Sequence, residues 1–322
     1  MFCGLRGRDM MKLKRIQTVF LLILCAVMIA VGFPVTVRAD MGPKPSVRIR
    51  FENMGDELCY GTLLSKTKST GPASAWDGVE SHAKHSDNKS YSYADFDYEI
   101  WKAFAEYQDA DGYYFLQEGW KVSETKNIEW TYYPPQSFKI LLYYPKTQTF
   151  IVSDIYERYA FDTYYTVDME GIHINEVRYE EVNSTNKVLE ASRSYDYSQE
   201  LISLAVRIVL TILIEMIIAL LFGYRHKKQL LFLAGVNGGT QIVLNVLLNI
   251  INYKGGQLAF VLFYVLLEIA VFAIEAGIFY GRLGRMGNTS QPKWLAVLYA
   301  FIANAASFGV GIMAAQWLPG IF

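Results

Sequence analysis

"RIVLTILIEMIIALLFGYRHKK", residues 207–228, decides how the rest of the chain is read. It is an apolar run closed by a basic cluster, with one acid, Glu215, in its middle. Extended back to residue 201, the run is long enough to cross ~30 Å of hydrocarbon as a helix of about 20 residues. Three further stretches of the same kind follow, and together they predict spans at about 201–223, 229–251, 258–280 and 294–318. Their connectors are short, so successive helices should pack as antiparallel neighbours in a four-helix transmembrane bundle over 201–322.

Charge in the connectors sets an expected orientation. Arg225, Lys227 and Lys228 lie between the first two spans, and Arg282, Arg285 and Lys293 between the last two, whereas "NYKGGQ" (252–257) carries only Lys254. Basic residues favour the cytoplasm. The Arg225–Lys228 and Arg282–Lys293 loops are therefore expected inside and residues 40–200 outside a cell membrane, with the lipid bilayer as the chief partner. Residues 1–39 read as a signal peptide that agrees with this: a basic "MKLKRIQ", an apolar "TVFLLILCAVMIAVGF", then Val37 and Ala39 before Asp40. The alternative for this segment is an uncleaved anchor. With a formal net charge of −1, nothing points to nucleic acid. Once the signal is removed only Cys59 remains, which leaves no intrachain disulfide and no zinc or redox framework.

Residues 40–200 hold 18 of the 23 tyrosines and four of the six tryptophans, so aromatic packing or an aromatic groove belongs to this part of the chain. "SVRIRFEN" (46–53) alternates apolar and charged residues, as a half-buried strand does. With "ELCYGTLLS" (57–65) it is expected to form a hairpin, and "FKILLYY" (138–144) with "TFIVSD" (149–154) a second. "FDTYYTVDM" (161–169) is another strand. "DFDYEIWKAFAEY" (95–107) is expected to be a helix capped by Asp95, because Phe96, Ile100, Trp101, Phe104 and Tyr107 recur at helical spacing. The fold class expected outside the membrane is thus a β-rich, sandwich-like α+β domain of mainly antiparallel strands.

Chemistry-bearing motifs are sparse there. His82 and His85 in "HAKH" offer a metal two imidazoles, although such pairs in polar loops are usually solvated. "DADGYYFLQE" (109–118) lacks the third ligand of a calcium loop and reads as a turn. No Gly-rich phosphate loop and no Ser/His/Asp spacing is present, so no cofactor is implied. The aromatic surplus could line a sugar or peptide groove, or simply fill strand faces and core.

Polar residues in the spans recur on single faces. Ser203, Arg207, Thr211 and Glu215 fall every fourth residue, as do Asn237, Gln241, Asn245 and Asn249, with Thr240 alongside. Glu268 and Glu275 share a face beneath Tyr264. Ala303, Ser307, Gly311 and Ala315, flanked by Asn304, form a ladder of small groups; Ala303, Gly311 and Ala315 would let a neighbouring helix approach closely. An acid costs about 3 kcal/mol at a helix centre, so these faces should turn toward one another or toward water. Two outcomes remain open: polar contacts that hold helices or a partner together, or a site for a proton or cation in transit.

Several stretches carry a family likeness: "DMGPKPSV" (40–47), "STGPASAWDG" (69–78), "EWTYYPPQSFKILLYYP" (129–145), "IYERYAFDTYYTVDM" (155–169), "LTILIEMIIALLFGYRHKKQLL" (210–231) and "ANAASFGVG" (303–311). Through these the chain resembles an uncharacterised family of bacterial membrane proteins. The resemblance implies the same plan of signal, outer domain and helical spans, and no activity or functional residue. Three functional classes follow. The outer domain binds or senses an envelope ligand, with a helical anchor that associates with itself or with a membrane partner. Or Glu215, Glu268 and Glu275 serve an ion- or proton-coupled transporter or channel subunit. Or the outer domain is a hydrolase.

Overall fold

The computed structural model describes residues 42–84, 98–172, 189–286 and 292–317. The expected signal peptide, His85, Asp95, Phe96 and the side chain of Ala315 lie outside the described residues.

The N-terminal part is rich in β-sheet. One sheet has the order β4 (Asn127–Trp130), β1 (Ser46–Glu52), β8 (Asp162–Asp168) and β9 (Ala191–Arg193). The other has the order β3 (Tyr114–Phe115), β2 (Tyr60–Ser65), β5 (Ser137–Tyr144) and β6 (Thr149–Val152), with the short β7 (Tyr156–Glu157) also paired to β5. Alternation explains the layering. Val47, Ile49 and Phe51 of β1 and Tyr165 and Val167 of β8 meet Leu63, Phe138, Ile140, Leu142 and Tyr144 of the facing sheet in one core. The other face of the second sheet, Tyr60, Leu64, Leu141 and Tyr143, packs on Ile100, Trp101 and Phe104 of helix α1 (Tyr98–Glu106). β2 and β5 are therefore covered on both sides, which is why they read as near-continuous apolar runs. Each large side chain buried in these layers contributes about 1.5–3 kcal/mol.

One expectation needs correction. The strands 46–52 and 60–65 do not form a hairpin: β1 pairs with β4 and β8, and β2 with β3 and β5. Both faces of β2 are apolar, which suits the middle of the second sheet, so the chain between them crosses from one sheet to the other through Asn53 at φ 53°. In addition, β1 and β8 run parallel over seven residue pairs, in an otherwise antiparallel set. The β5–β6 hairpin and the α1 helix form as expected. A four-residue helix, α2 (Val122–Thr125), precedes β4.

Among the described residues, three helices are long and apolar enough to cross a membrane. They are α3 (Ser198–Leu221), α4 (Lys227–Arg282) and α5 (Lys293–Trp317). The expected loop across "NYKGGQ" is replaced by a single break: only Gly256 leaves helical geometry, at φ 76° and ψ −177°, a conformation essentially reserved for glycine. The 56-residue run is nevertheless not a rod. Thr240 and Glu275 would be about 50 Å apart along a straight helix, yet their side chains are hydrogen-bonded at 2.5 Å. Gln229 Nε2 likewise donates to the Leu283 carbonyl at 3.3 Å. The helix folds back at Gly256 into two antiparallel arms.

The β-rich region meets this fold-back. Phe161, just before β8, donates its backbone N–H to the Tyr253 carbonyl at 2.8 Å. Its ring covers Gly256 so closely that a Cβ there would stand 2.6 Å from it. Tyr195 and Tyr197 pack on Tyr253 with ring centres 5.2 and 6.4 Å away.

Candidate functional site

Two places gather functional groups, one in each region. In the β-rich region a cleft of about 450 Å³ is lined by Pro72, Ala73, Lys84, Glu118, Trp120, Glu129, Trp130, Thr131 and Tyr132. The end of β4, the turn after β3 and the loop that follows β2 converge to make it. Trp120 and Trp130 lie with ring centres 5.7 Å apart and planes tilted by 46°, offering two aromatic faces. Trp130 Nε1 donates to the Tyr132 carbonyl at 3.0 Å, which fixes that ring. Lys84 Nζ meets Glu118 Oε1 at 3.3 Å. Burial pushes the Glu118 carboxyl above its ordinary value, and the Lys84 ammonium only partly counters this. A ligand with flat or C–H-rich faces and hydroxyl or amide groups fits such a lining.

Elsewhere in this region, charge is tied up structurally. His82 bonds Asp77 at 2.9 Å and holds that carboxyl below its usual range. Among the described residues no three His, Cys, Asp or Glu side chains gather as a metal site. The "DADG" turn is a turn: Asp109 Oδ2 accepts from the backbone N–H of Asp111 and Tyr113. Lys139 of β5 stands where a cation would, 2.8 Å from Asp109 and 2.5 Å from Asp111. Burial works against the Lys139 charge, but the hydrogen bonds and charges of Asp109 and Asp111 outweigh it and hold the ammonium above its ordinary value. Cys59 is buried, which pushes its thiol up to about 12, so it is no nucleophile.

The second place is the seam between α3, α4 and α5. Glu215 and Glu275 are fully buried, and Asn237, Gln241 and Asn245 nearly so. Glu275 is anchored on both oxygens: Thr240 Oγ1 donates to Oε1 at 2.5 Å and Asn304 Nδ2 to Oε2 at 2.6 Å. Glu215 accepts one bond, from Ser307 Oγ at 3.4 Å, and its Oε2 has no partner among the described protein atoms. Asn237 lies beside Glu215 and Tyr299, yet neither end of its amide is partnered. Asn245 Nδ2 donates to the Gln241 carbonyl and to Gln241 Oε1, leaving Gln241 Nε2 unpartnered. Glu268 is half-buried with Oε2 unpartnered. Arg207 does not reach the acids: it donates to Ser203 Oγ and Asn249 Oδ1.

The stripes thus meet. Glu215, Asn237, Thr240, Glu275, Asn304 and Ser307 converge, Gln241 and Asn245 continue along the same face of α4, and Glu268 lies at the margin. Of the small-residue ladder, Ala303 is buried against the Tyr299 and Ala300 cluster, and a Cβ on Gly311 would stand 2.9 Å from the Tyr264 hydroxyl. Sequence reasoning missed the Lys84–Glu118 floor of the cleft, the Lys139 clasp and the Phe161–Gly256 contact. Each joins residues far apart in the chain, and the one local hint was Lys139, a charge inside the apolar run "FKILLYY".

Comparison of the chain with protein-family models, curated proteins and solved structures finds no match.

Proposed function

We propose that the protein is a multi-pass cell-membrane protein whose β-rich region lies outside the cytoplasm and binds an envelope ligand in the Trp120–Trp130–Tyr132 cleft. In this reading each arm of α4 crosses the bilayer, making four crossings with α3 and α5. The connector at Gly256 then lies on the outer side, and the basic connectors face the cytoplasm. The observation that carries the binding role is the cleft itself: an aromatic wall beside a buried acid paired with a lysine, within the ~300–1,000 Å³ range of small-ligand sites. The junction of Phe161 with Tyr253 and Gly256 supports a receptor reading, because a rearranged β8 would press directly on the helix break. The ligand chemistry that fits is a cell-wall glycan or peptide fragment.

The test is tryptophan fluorescence of the full chain in nanodiscs, titrated with soluble glycan and stem-peptide fragments. Saturable quenching is expected, and Trp120→Ala should weaken it about 30-fold, the loss typical of an aromatic anchor worth ~2 kcal/mol. Absence of any response in folded protein overturns the binding role. Single cysteines tell the sides apart: a label impermeant to membranes should reach Gly71→Cys in intact cells, but Lys228→Cys only after permeabilisation.

A further inference from the structure

We propose that Glu215, Asn237, Asn304 and Glu275 enclose a binding site for one small monovalent cation of the sodium class within the helical seam. Three observations carry this beyond the mere presence of acids.

The first is the direction of the amides. Asn304 Nδ2 donates to Glu275 Oε2 and to the Ala300 carbonyl, at 2.6 and 3.0 Å. Flipping the amide would set its oxygen against two acceptors, so its orientation is determined by its partners. Asn304 Oδ1 is therefore an oxygen, buried and without a donor. The second is the unpartnered set around it. Asn237 is 1 % exposed and its amide, though beside the Glu215 carboxylate and the Tyr299 hydroxyl, meets neither in good hydrogen-bond geometry; Glu215 is 0 % exposed with Oε2 likewise outside such geometry. Polar groups left this way in a bilayer are expensive, several kcal/mol each by the ordinary reckoning. A cation engages the three oxygens together, and Asn237 is free to turn its oxygen toward it. The third is charge. Glu215, Glu268 and Glu275 all lie within electrostatic reach of one another, and Arg207 spends its guanidinium on Ser203, Asn249 and the Phe260 ring. A bound cation offsets one of these charges from within.

The ligand set names the ion class. Carboxylate and amide oxygens select hard cations over soft ones. Divalent calcium sites draw on several carboxylates and six to eight oxygens, whereas here the oxygens are mainly neutral amides and Glu275 is already held by Thr240 and Asn304. One charge and few ligands fit Na⁺ with water completing its shell. This inference does not depend on the outer cleft.

The test uses the full chain in nanodiscs at neutral pH, with Na⁺ replaced by choline. Two readings are taken: retention of radiolabelled Na⁺, and Tm as a function of Na⁺, since a ligand of the native state raises Tm saturably. Saturable retention and a rise in Tm are expected. Glu215→Gln should weaken Na⁺ by at least about tenfold, the loss seen even when a group merely supports a ligand. Should Glu215→Gln fail to fold, Asn237→Ala is read in its place, with the same expectation. Equal Tm in Na⁺ and choline with no retained Na⁺ overturns the site. So does a Na⁺ response that survives both substitutions, or proton uptake on acidification with no response to Na⁺.

Discussion

The β-rich region and the helical region both bury acids, and they treat them in opposite ways. Asp109, its side chain 1 % exposed, is clasped by Lys139 and by two backbone N–H groups. Glu118 has Lys84. In the helices, Glu215 and Glu275 meet only hydroxyls and amides, and several of the surrounding polar atoms are left without partners. Completed pairs build rigid structure and leave little to bind with. Incomplete ones, in a medium where they are costly, mark a place where something else completes the set. The contrast separates a structural acid from a functional one better than burial alone does.

The sharpest way to break the contrast is to make the β-rich region resemble the helices. Lys139→Met keeps the volume and apolar stem of β5 but strands Asp109 in the interior. Removing one partner of a buried pair costs about 3–5 kcal/mol, so the β-rich region should lose most of its stability, read as a fall in the denaturant midpoint of the full chain. The pair also brackets a pH window. Lys139 is held above its ordinary value and Asp111 below, by the Lys139 hydrogen bond and charge. Their contribution is thus present between the two, lost as pH falls through the depressed Asp111 value and lost again as pH rises past that of Lys139. A second acidic substitution, Asp109→Asn with Lys139→Met, should recover much of the loss; if it recovers none, the lysine is acting through packing.

Next in size is the joint between the two regions. Gly256→Ala places a methyl 2.6 Å from the Phe161 ring and forces a φ of 76° on an L side chain. Such strain costs about 1–3 kcal/mol. Phe161→Ala removes the clash but not the backbone cost, so the double variant should regain part of the Tm and no more. Full recovery would mean that the break at Gly256 is not what fixes the hairpin.

Legibility in the sequence differs between the regions for a physical reason. Helical stripes are local, so the every-fourth-residue spacing of Asn237, Gln241 and Asn245, and of Ala303 and Ser307, already gave the faces that meet. The turn between 251 and 258 was visible as "NYKGGQ", but not that one glycine would break an otherwise unbroken helix: a loop and a kink have the same composition. In the β-rich region, the period of each strand was readable and its partner was not. β1 takes β8 as a parallel neighbour 116 residues away, and no local pattern encodes that. Lys84, Glu118, Trp120 and Trp130 come together only after the two sheets face each other.

Within the seam, Glu275 tests whether its own bonds are structural. Glu275→Gln keeps the shape, but its new NH₂ must face either the Thr240 hydroxyl or the Asn304 amide. Turned to Thr240, it is accepted by a hydroxyl that gives its proton to the Val236 or Asn237 carbonyl; charge assistance is lost from both contacts, worth about 1 kcal/mol on the scale of interhelical bonds. Glu215→Gln, by comparison, disturbs only the long Ser307 bond and should leave Tm in choline nearly unchanged. If both substitutions cost the same in choline, the two acids are equivalent and the division between an anchored and an open carboxylate fails.

The smallest effect belongs to Glu118, a buried acid of the β-rich region whose lysine only partly offsets its burial. Burial raises its carboxyl in the folded protein, and Lys84 offsets this in part. A carboxyl raised on folding contributes stability that is present below the unfolded value of ~4.3 and lost as pH rises through the folded one. Tm should therefore decline across that window in the wild type, and the decline should be absent in Glu118→Gln. Near neutral pH the substitution removes both an ionised buried acid and the partner of a partly exposed lysine, so the net change should stay under about 1 kcal/mol. Thermal scans of both proteins at a series of pH values decide it. A decline that persists in Glu118→Gln would place the titrating group elsewhere, and Glu118 would then join Asp109 as an acid fully answered by its lysine.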